Sequence, residues 1–315
     1  MTKSSGIRLA AACAAFGVGL AGSVLQAQQR PADPLIKEGA TVKVSDHVYV
    51  IPDGSVPLVP NVGIIVGSRA TLVVDSGLGP RNGEIVMREM AKVSANREVF
   101  VVSTHAHPEH ALGEPAFPAS AKILRARAQQ QDVDEFGLTL AETFSRRSAM
   151  TAELLKGVQF RKADIFFDKE YALDLGGVKV RLLRLGPAHT RGDTVAFVEG
   201  DAVLFAGDIV MNRFLAFASP TSRVKPWLAA LDALAPLQPR RVVPSHGDMG
   251  DASFITKDRA YLTQLQARVA ALKAQGRTVD AVVAAVTKEM QEAFPEWTNS
   301  AAVTPAATAA YGEAQ

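Results

Sequence analysis

Three of the six histidines, His105, His107 and His110, fall within six residues of one another with Glu109 among them. Two more follow apolar, β-branched runs: His189 after Val178–Leu185 and His246 after Arg241–Pro244. Asp208 follows a further such run, Ala202–Ala206. Imidazole nitrogens and carboxylate oxygens are zinc ligands, and a catalytic zinc keeps one position open for water. In an extended loop His105 and His107 point to the same side and can grip one ion together. Pro108 changes the chain direction, so that Glu109 and His110 can serve a second ion. His47, between Asp46 and Val48 on an early strand, has no such company and reads as an ordinary strand residue.

These residues are useful only if separate loops converge, and loops at strand ends are where a rigid scaffold presents functional side chains. The pattern supplies such strands. Short β-branched runs at Thr41–Ile51, Val62–Val66 and Ala70–Asp75 precede a helix at Asn82–Val93 and a continuously apolar, buried strand at Glu98–Ser103. A helix is predicted at Leu138–Lys156, opened by a capping box from Thr139 to Glu142. Strands resume at Glu170–Leu175, Val178–Leu185, Thr194–Glu199 and Ala202–Ala206; a helix at Val224–Leu237 then leads into the strand Arg241–Pro244. Ile255–Ala274 is an amphipathic helix with Leu262, Leu265, Val269 and Leu272 on one stripe, and Val279–Phe294 is the last. Strands followed by helix, twice over, predict an α+β fold in which two sheets pack together with helices outside, a four-layer sandwich.

The motifs resemble those of the metallo-β-lactamase-fold superfamily over roughly residues 40–290. THAHPEH is similar to its HxHxDH signature, GPAHTRGD to its next histidine element, FAGD to its bridging aspartate and PSHG to its last histidine. VVDSGLG resembles the early aspartate element, which makes Asp75 a supporting group behind the metals. The resemblance implies the αβ/βα sandwich with two mixed sheets. It assigns His105, His107 and His189 to a first zinc, Glu109, His110 and His246 to a second, and Asp208 to a bridge between them, so that Glu109 and Asp208 also bear on catalysis. Two cations sharing a water lower its pKa and polarise the attacked carbonyl. Thr190, Gly192 and Asp193 would shape the loop that holds His189.

The sequence departs from that pattern at Glu109, where the family has aspartate. One extra methylene moves the carboxylate outward by about 1.5 Å. A binuclear site with an altered second metal, a site working through one zinc, and a non-catalytic metal- or ligand-binding relative all remain open. Flavodiiron proteins place glutamate where His107 stands, which favours hydrolysis over redox work. The cysteine-using β-lactamases have a lysine three residues after the position of Asp208, and Met211 stands there. The expected activity is hydrolysis of an amide or ester bond in a small molecule. β-Lactams are one candidate class, and thioesters or lactones are the alternative. Substrate shape is expected from the loop Pro52–Pro60, with Val56, Leu58 and Val59, and from Met211–Pro220, where Arg213, Phe214 and Phe217 are candidate contacts.

Composition sets the frame. The chain has 315 residues, 48% apolar and 21% charged, as in a globular protein able to bury a large core. Its net charge of +2 argues against a nucleic-acid binder that works by phosphate neutralisation. Lys3 and Arg8 precede an uncharged Ala-rich run to Leu25, which predicts a secretory signal peptide at 1–27 and a periplasmic or secreted product without a stable membrane anchor. Its removal takes away Lys3, Arg8 and Cys13 but no acidic residue, leaving a neutral, cysteine-free chain. Residues 28–39 are expected to be a lead-in, 40–299 one domain, and the Ala/Thr-rich stretch 300–315 a disordered tail.

Overall fold

The computed structural model describes residues 32–314, so the export segment expected at 1–27 lies outside the described residues. The first sheet holds β1 (Val42–Lys43), β2 (Val48–Ile51), β3 (Val62–Val66), β4 (Ala70–Val74), β5 (Glu98–Val102), β6 (Lys122–Ala126) and β7 (Ile165–Phe167), side by side in chain order. β1 to β4 pair antiparallel, and β4 to β7 pair parallel. The parallel crossovers carry α1 (Pro80–Val93), α2 (Pro108–Ala111), α3 (Arg127–Ser145) and α4 (Ala149–Leu154). The second sheet runs β12 (Arg241–Pro244), β11 (Val203–Gly207), β10 (Thr194–Val198), β9 (Lys179–Arg184), β8 (Glu170–Asp174), with β11 and β12 parallel. Outside it lie α5 (Val224–Leu234), α6 (Ser253–Ala274), α7 (Val279–Ala293) and α8 (Val303–Glu313).

Side-chain alternation builds the layers. On the first sheet Ile65, Leu72, Val74, Phe100, Val102 and Leu124 point inward to meet Val180, Leu182, Ala196, Val198 and Phe205 of the second. Their strand neighbours Ile64, Val73, Val99, Val101 and Ile123 face outward onto Ile85 and Val86 of α1. Val195, Phe197, Leu204 and Val242 likewise turn outward to Trp227, Leu231, Leu262, Leu265 and Val286 of the second helical layer. Both faces of β5 are therefore covered, which is why its sequence is continuously apolar. Gly63 lets the sheets approach, because a Cβ there would lie 2.4 Å from the Phe205 ring. The arrangement is the predicted four-layer αβ/βα sandwich.

Several boundaries differ from the sequence reading. The predicted helix at Leu138–Lys156 is two helices, and α3 begins far earlier, at Arg127. Thr139 lies inside α3, where its carbonyl accepts from Thr143 Oγ1, and the capping box is formed instead by Ser148 and Thr151 at the start of α4. The polar stretch after Arg127 has good helix formers but little apolar periodicity, and Gly137 looks like a stop while in fact giving Phe160 room to pack. β6 was masked by Arg125, a charge in an apolar run; Arg125 is buried, with its guanidinium 2.6 Å from Glu114 Oε2. The tail expected to be disordered is α8, which buries Val303, Ala306, Ala307 and Ala310 against α5, α6 and α7. Alanine is the best helix former, and its small side chain permits close helix packing, so the low bulk of this stretch misleads. The domain thus continues through Glu313. It also begins before residue 40, because Ile36 is buried and its N–H donates to Asn82 Oδ1 at 2.7 Å.

Candidate metal centre

The two sheets present their functional loops at one place. Asp75, directly after β4, takes a left-handed φ of 64°. This unusual backbone for a residue with a Cβ is held by its carboxylate: Oδ1 accepts from Thr104 N at 2.7 Å and Oδ2 from Thr104 Oγ1 at 3.1 Å. That bond fixes the start of the loop after β5, from which His105 and His107 project. Pro108 then starts the short α2, whose first turn carries Glu109 and His110. His189 comes from the loop between β9 and β10, Asp208 follows β11 and His246 follows β12.

The expected ligands come together in two groups: His105, His107, His189 and Asp208 form one, Glu109, His110 and His246 the other. His107 Nδ1 lies 3.0 Å from His105 Nε2 and 3.1 Å from His189 Nε2, and Asp208 Oδ2 is 3.4 Å from His189 Nε2. Nitrogens held about 2.0 Å from one tetrahedral zinc stand about 3.3 Å apart, so the first group already has nearly the spacing of a ligand set. The second group is joined to the first by the His105 and His110 rings, 4.1 Å between centroids, and His246 lies 5.4 Å from His110 by the same measure. Glu109 Oε2, His110 Nε2 and Asp208 Oδ1 are buried without any hydrogen-bond partner. A buried polar atom left so costs about 1–3 kcal/mol, and shared cations remove that cost at all three. The residues fit a dinuclear metal site.

Protonation agrees with that reading. Burial and the neighbouring imidazoles push His105 and His107 well below the usual histidine range, which leaves them as neutral ligands. Burial alone would raise the Asp208 carboxyl, but the imidazoles of His189, His246, His110 and His107 outweigh it and hold it at about 2. Asp208 therefore faces both groups as an anion. Burial works against a charge on His110, yet the Asp75 carboxylate raises it to about 9, so a cation must displace the proton on its Nε2.

A supporting shell aims the rings. His110 Nδ1 donates to Asp75 Oδ2, His246 Nδ1 to the Val59 carbonyl and His189 Nδ1 to the Ala216 carbonyl. Asp193 accepts from the N–H of Thr190 at 2.8 Å and of Ala188 at 3.2 Å, folding the loop around His189. Asn61 donates to the carbonyls of Pro244 and Gly247, and Asp53 accepts from Gly247 N, so the loop Pro52–Pro60 and Asn61, just ahead of β3, secure the His246 loop. Thr104, Asp53 and Asn61 escaped the sequence reading. Adjacency to His105 was the only hint for Thr104, and the two others act across a long stretch of chain.

Of the expected substrate segment Met211–Pro220, the end at Pro220 lies beside His107, whereas the aromatic residues face other surroundings. Phe214 lines a small cavity with Ile209, Trp227, Asp258 and Trp297 that includes no ligating residue, and the Arg213 carbonyl accepts from Thr298 N in the same region. Phe217 stacks on Trp227 inside the core, and Val59 is buried against β2 and β3. The apolar wall beside His107 is supplied by Phe136 and Leu140 of α3 instead, with Ala106 and Pro220. Phe136 was obscured because the start of α3 was not recognised, and Leu140, inside the predicted helix, carried no signal of the face it presents. His47 pairs with Asp201 at 2.9 Å, away from the metal ligands.

A family model for the metallo-beta-lactamase superfamily matches residues 55–246. Human acyl-coenzyme A thioesterase MBLAC2 is 25% identical over 203 residues, which are 59% of this chain and 72% of the thioesterase. A linear primary-alkylsulfatase of Pseudomonas sp. is 23% identical over 218 residues, 58% of this chain and 40% of that protein. The solved sec-alkylsulfatase Pisa1 from Pseudomonas sp. superposes with a TM-score of 0.69 at 15% identity, covering 87% of this chain and 50% of its own. The chain thus spans half or less of the alkylsulfatases it matches.

Proposed function

The chain belongs to the metallo-β-lactamase superfamily and is a metal-dependent hydrolase, and on that premise we propose that it is an exported zinc enzyme cleaving the ester or thioester bond of a small acyl compound. The observation that carries this reading is the junction of the two ligand groups with an apolar cavity that opens at His107. Likeness to an acyl-coenzyme A thioesterase supports it, and Met211, at the position where the cysteine-using β-lactamases carry a lysine, weighs against a β-lactam.

An all-nitrogen-and-oxygen ligand set suits zinc. His105, His107, His189 and Asp208 would hold one ion, and Glu109, His110 and His246 the other. Bound there, zinc supplies Lewis acidity and makes a nucleophile available near neutral pH. The rest falls to the chain. Asp208, held ionised by the surrounding imidazoles, would serve as an anionic ligand, with Oδ2 beside His189 and the otherwise unpartnered Oδ1 also available to a cation. The water oxygen becomes bonded to the acyl carbon, the C–S or C–O bond breaks, and the thiol or alcohol leaves with the proton. Asp75, Val59 and Ala216 hold His110, His246 and His189 in the tautomers that point Nε2 into the site.

Elemental analysis of the purified protein with a panel of short acyl thioesters, nitrophenyl esters, a chromogenic cephalosporin and an alkyl sulfate tests the reading. About two zinc per chain with turnover of the acyl esters, abolished by a chelator, is expected. Less than one metal per chain in zinc-replete protein overturns the dinuclear assignment, and preference for the cephalosporin or the sulfate overturns the substrate class. Export rests on the charged start and apolar run of residues 1–27, and a product beginning near Gln28 in the periplasmic or extracellular fraction would support it.

A further inference from the structure

The cavity at His107 has its own selectivity. It encloses about 130 Å³ and is walled by Ala106, Phe136, Leu140 and Pro220, with Asp132 and Thr190 also reaching it. Asp132, Phe136 and Leu140 recur every four residues along α3, so they share the face turned to the metal ligands. The next turn on that stripe places Phe144 against the His107 ring, 6.1 Å between centroids. Arg191 lies over the Phe136 ring at 5.9 Å and pairs with Asp132 at 3.5 Å, which keeps the wall in place. Gly192 allows α3 to press on the His189 loop, because a Cβ there would lie 2.2 Å from Gln129 Cα. The cavity is therefore built by packing and opens between the loops that carry His107 and His189. No lysine or arginine lines it, and its carboxylate, Asp132, is buried.

An engineered apolar cavity of about 150 Å³ holds a benzene ring. We infer that this cavity receives the acyl chain of the substrate and selects unbranched or aromatic acyl groups of about four to six carbons, the content of a space that size. The inference rests on the ester or thioester reading above. With the acyl carbonyl at the metal ligands the chain runs past His107 between Phe136 and Leu140. Each methylene it buries there is worth about 0.8 kcal/mol, or about fourfold in kcat/KM. A chain ending in a carboxylate would bury its charge beside Asp132, whose neighbouring cation, Arg191, is already shared with Glu135, and is rejected.

The test uses the zinc-loaded protein and thioesters from acetyl to dodecanoyl, with glutaryl as the anionic counterpart of pentanoyl. The expected kcat/KM rises about fourfold per carbon to about six carbons and then levels or falls, and glutaryl lies about tenfold or more below pentanoyl. Leu140→Trp fills the cavity and lowers the hexanoyl-to-acetyl ratio about tenfold, whereas Leu140→Ala enlarges it and moves the optimum to longer chains. Binding of free hexanoate by calorimetry, weakened by Leu140→Trp, gives a second readout independent of turnover. Ester hydrolysis with a flat chain-length profile, or one that neither Leu140 variant moves, overturns the acyl-pocket assignment while leaving the hydrolase intact. Hexanoate binding lost in Leu140→Trp, without turnover of any ester, sinks the proposed function and leaves the pocket assigned. Neither binding nor turnover overturns both.

Discussion

His110 Nδ1 donates to Asp75 Oδ2 across 2.9 Å, with both side chains buried. One carboxylate therefore does two things, since it also accepts from Thr104 and thereby fixes the chain ahead of His105. Its bond to His110 decides which nitrogen faces the site and raises the basicity of that ligand. Asp75→Asn should lower metal affinity at the Glu109, His110 and His246 group by about 10–100-fold, with a smaller loss at the other group. Titration against a chromophoric chelator resolves the two steps. Equal loss at both groups would show that Asp75 acts on the loop as a whole and not through the imidazole.

Glu109 reaches the second ligand group despite its extra methylene. Its carboxylate lies 4.0 Å from His110 Nε2 through Oε1, with Oε2 left unpartnered. The side chain starts from the first turn of α2, a backbone position fixed by Pro108. Glu109→Asp should preserve or raise affinity at this group, whereas Glu109→Gln, which keeps the shape but not the charge, should lower it about tenfold or more. If Glu109→Asp instead abolishes both metal binding and hydrolysis, the loop is adapted to the longer acid.

The ligands were legible in the sequence because His105, His107, His189, Asp208 and His246 lie in loops after apolar strands and Glu109 and His110 follow within the same short motif, and the type of chemistry follows from residue identity. Thr104, Asp53 and Asn61 were not, because their role depends on which distant backbone group comes within reach. The acyl-pocket wall was missed for a different reason. Phe136 and Leu140 lie in a mostly polar helix whose face is decided by packing on the His189 loop, not by hydrophobic periodicity. Conversely Phe217 looks like part of a flap because it is aromatic and follows Asp208, yet it stacks on Trp227 in the core, whereas Phe214 stays exposed at a small cavity without ligating residues.

Asp132 makes part of the stability depend on pH. Burial raises its carboxyl to about 6, against an ordinary 3.8, although Arg191 and the Gly192 N–H work in the other direction. The folded chain then holds this proton more tightly than the unfolded chain does. Its contribution to stability is fully present below pH 3.8 and is lost as pH rises through about 6. Asp132→Asn cannot ionise and keeps an oxygen for the Gly192 N–H. The wild-type urea midpoint, measured relative to that variant at equal metal loading, should fall between about pH 4 and 6 and then stay level. A difference independent of pH would mean that Arg191 compensates the charge fully.

The stretch expected to be a disordered tail is instead a packed helix, α8. Glu313, near the end of α8, accepts from Val224 N at 3.0 Å and from Lys225 N at 2.7 Å, so it caps the first two amides of α5. Those amides have no partner within their own helix, and a negative charge there also faces the positive end of the helix dipole. Glu313→Ala should therefore cost about 1 kcal/mol, read as a lowered urea midpoint. Removal of residues 300–315 should cost far more, because it uncovers the surface on which Val303, Ala306, Ala307 and Ala310 are buried. A loose tail would give no change in either variant. Ala307→Arg separates capping from packing: it leaves the Glu313 contact available but forces a long charged side chain into a position with no exposed surface, so it should destabilise more than Glu313→Ala does.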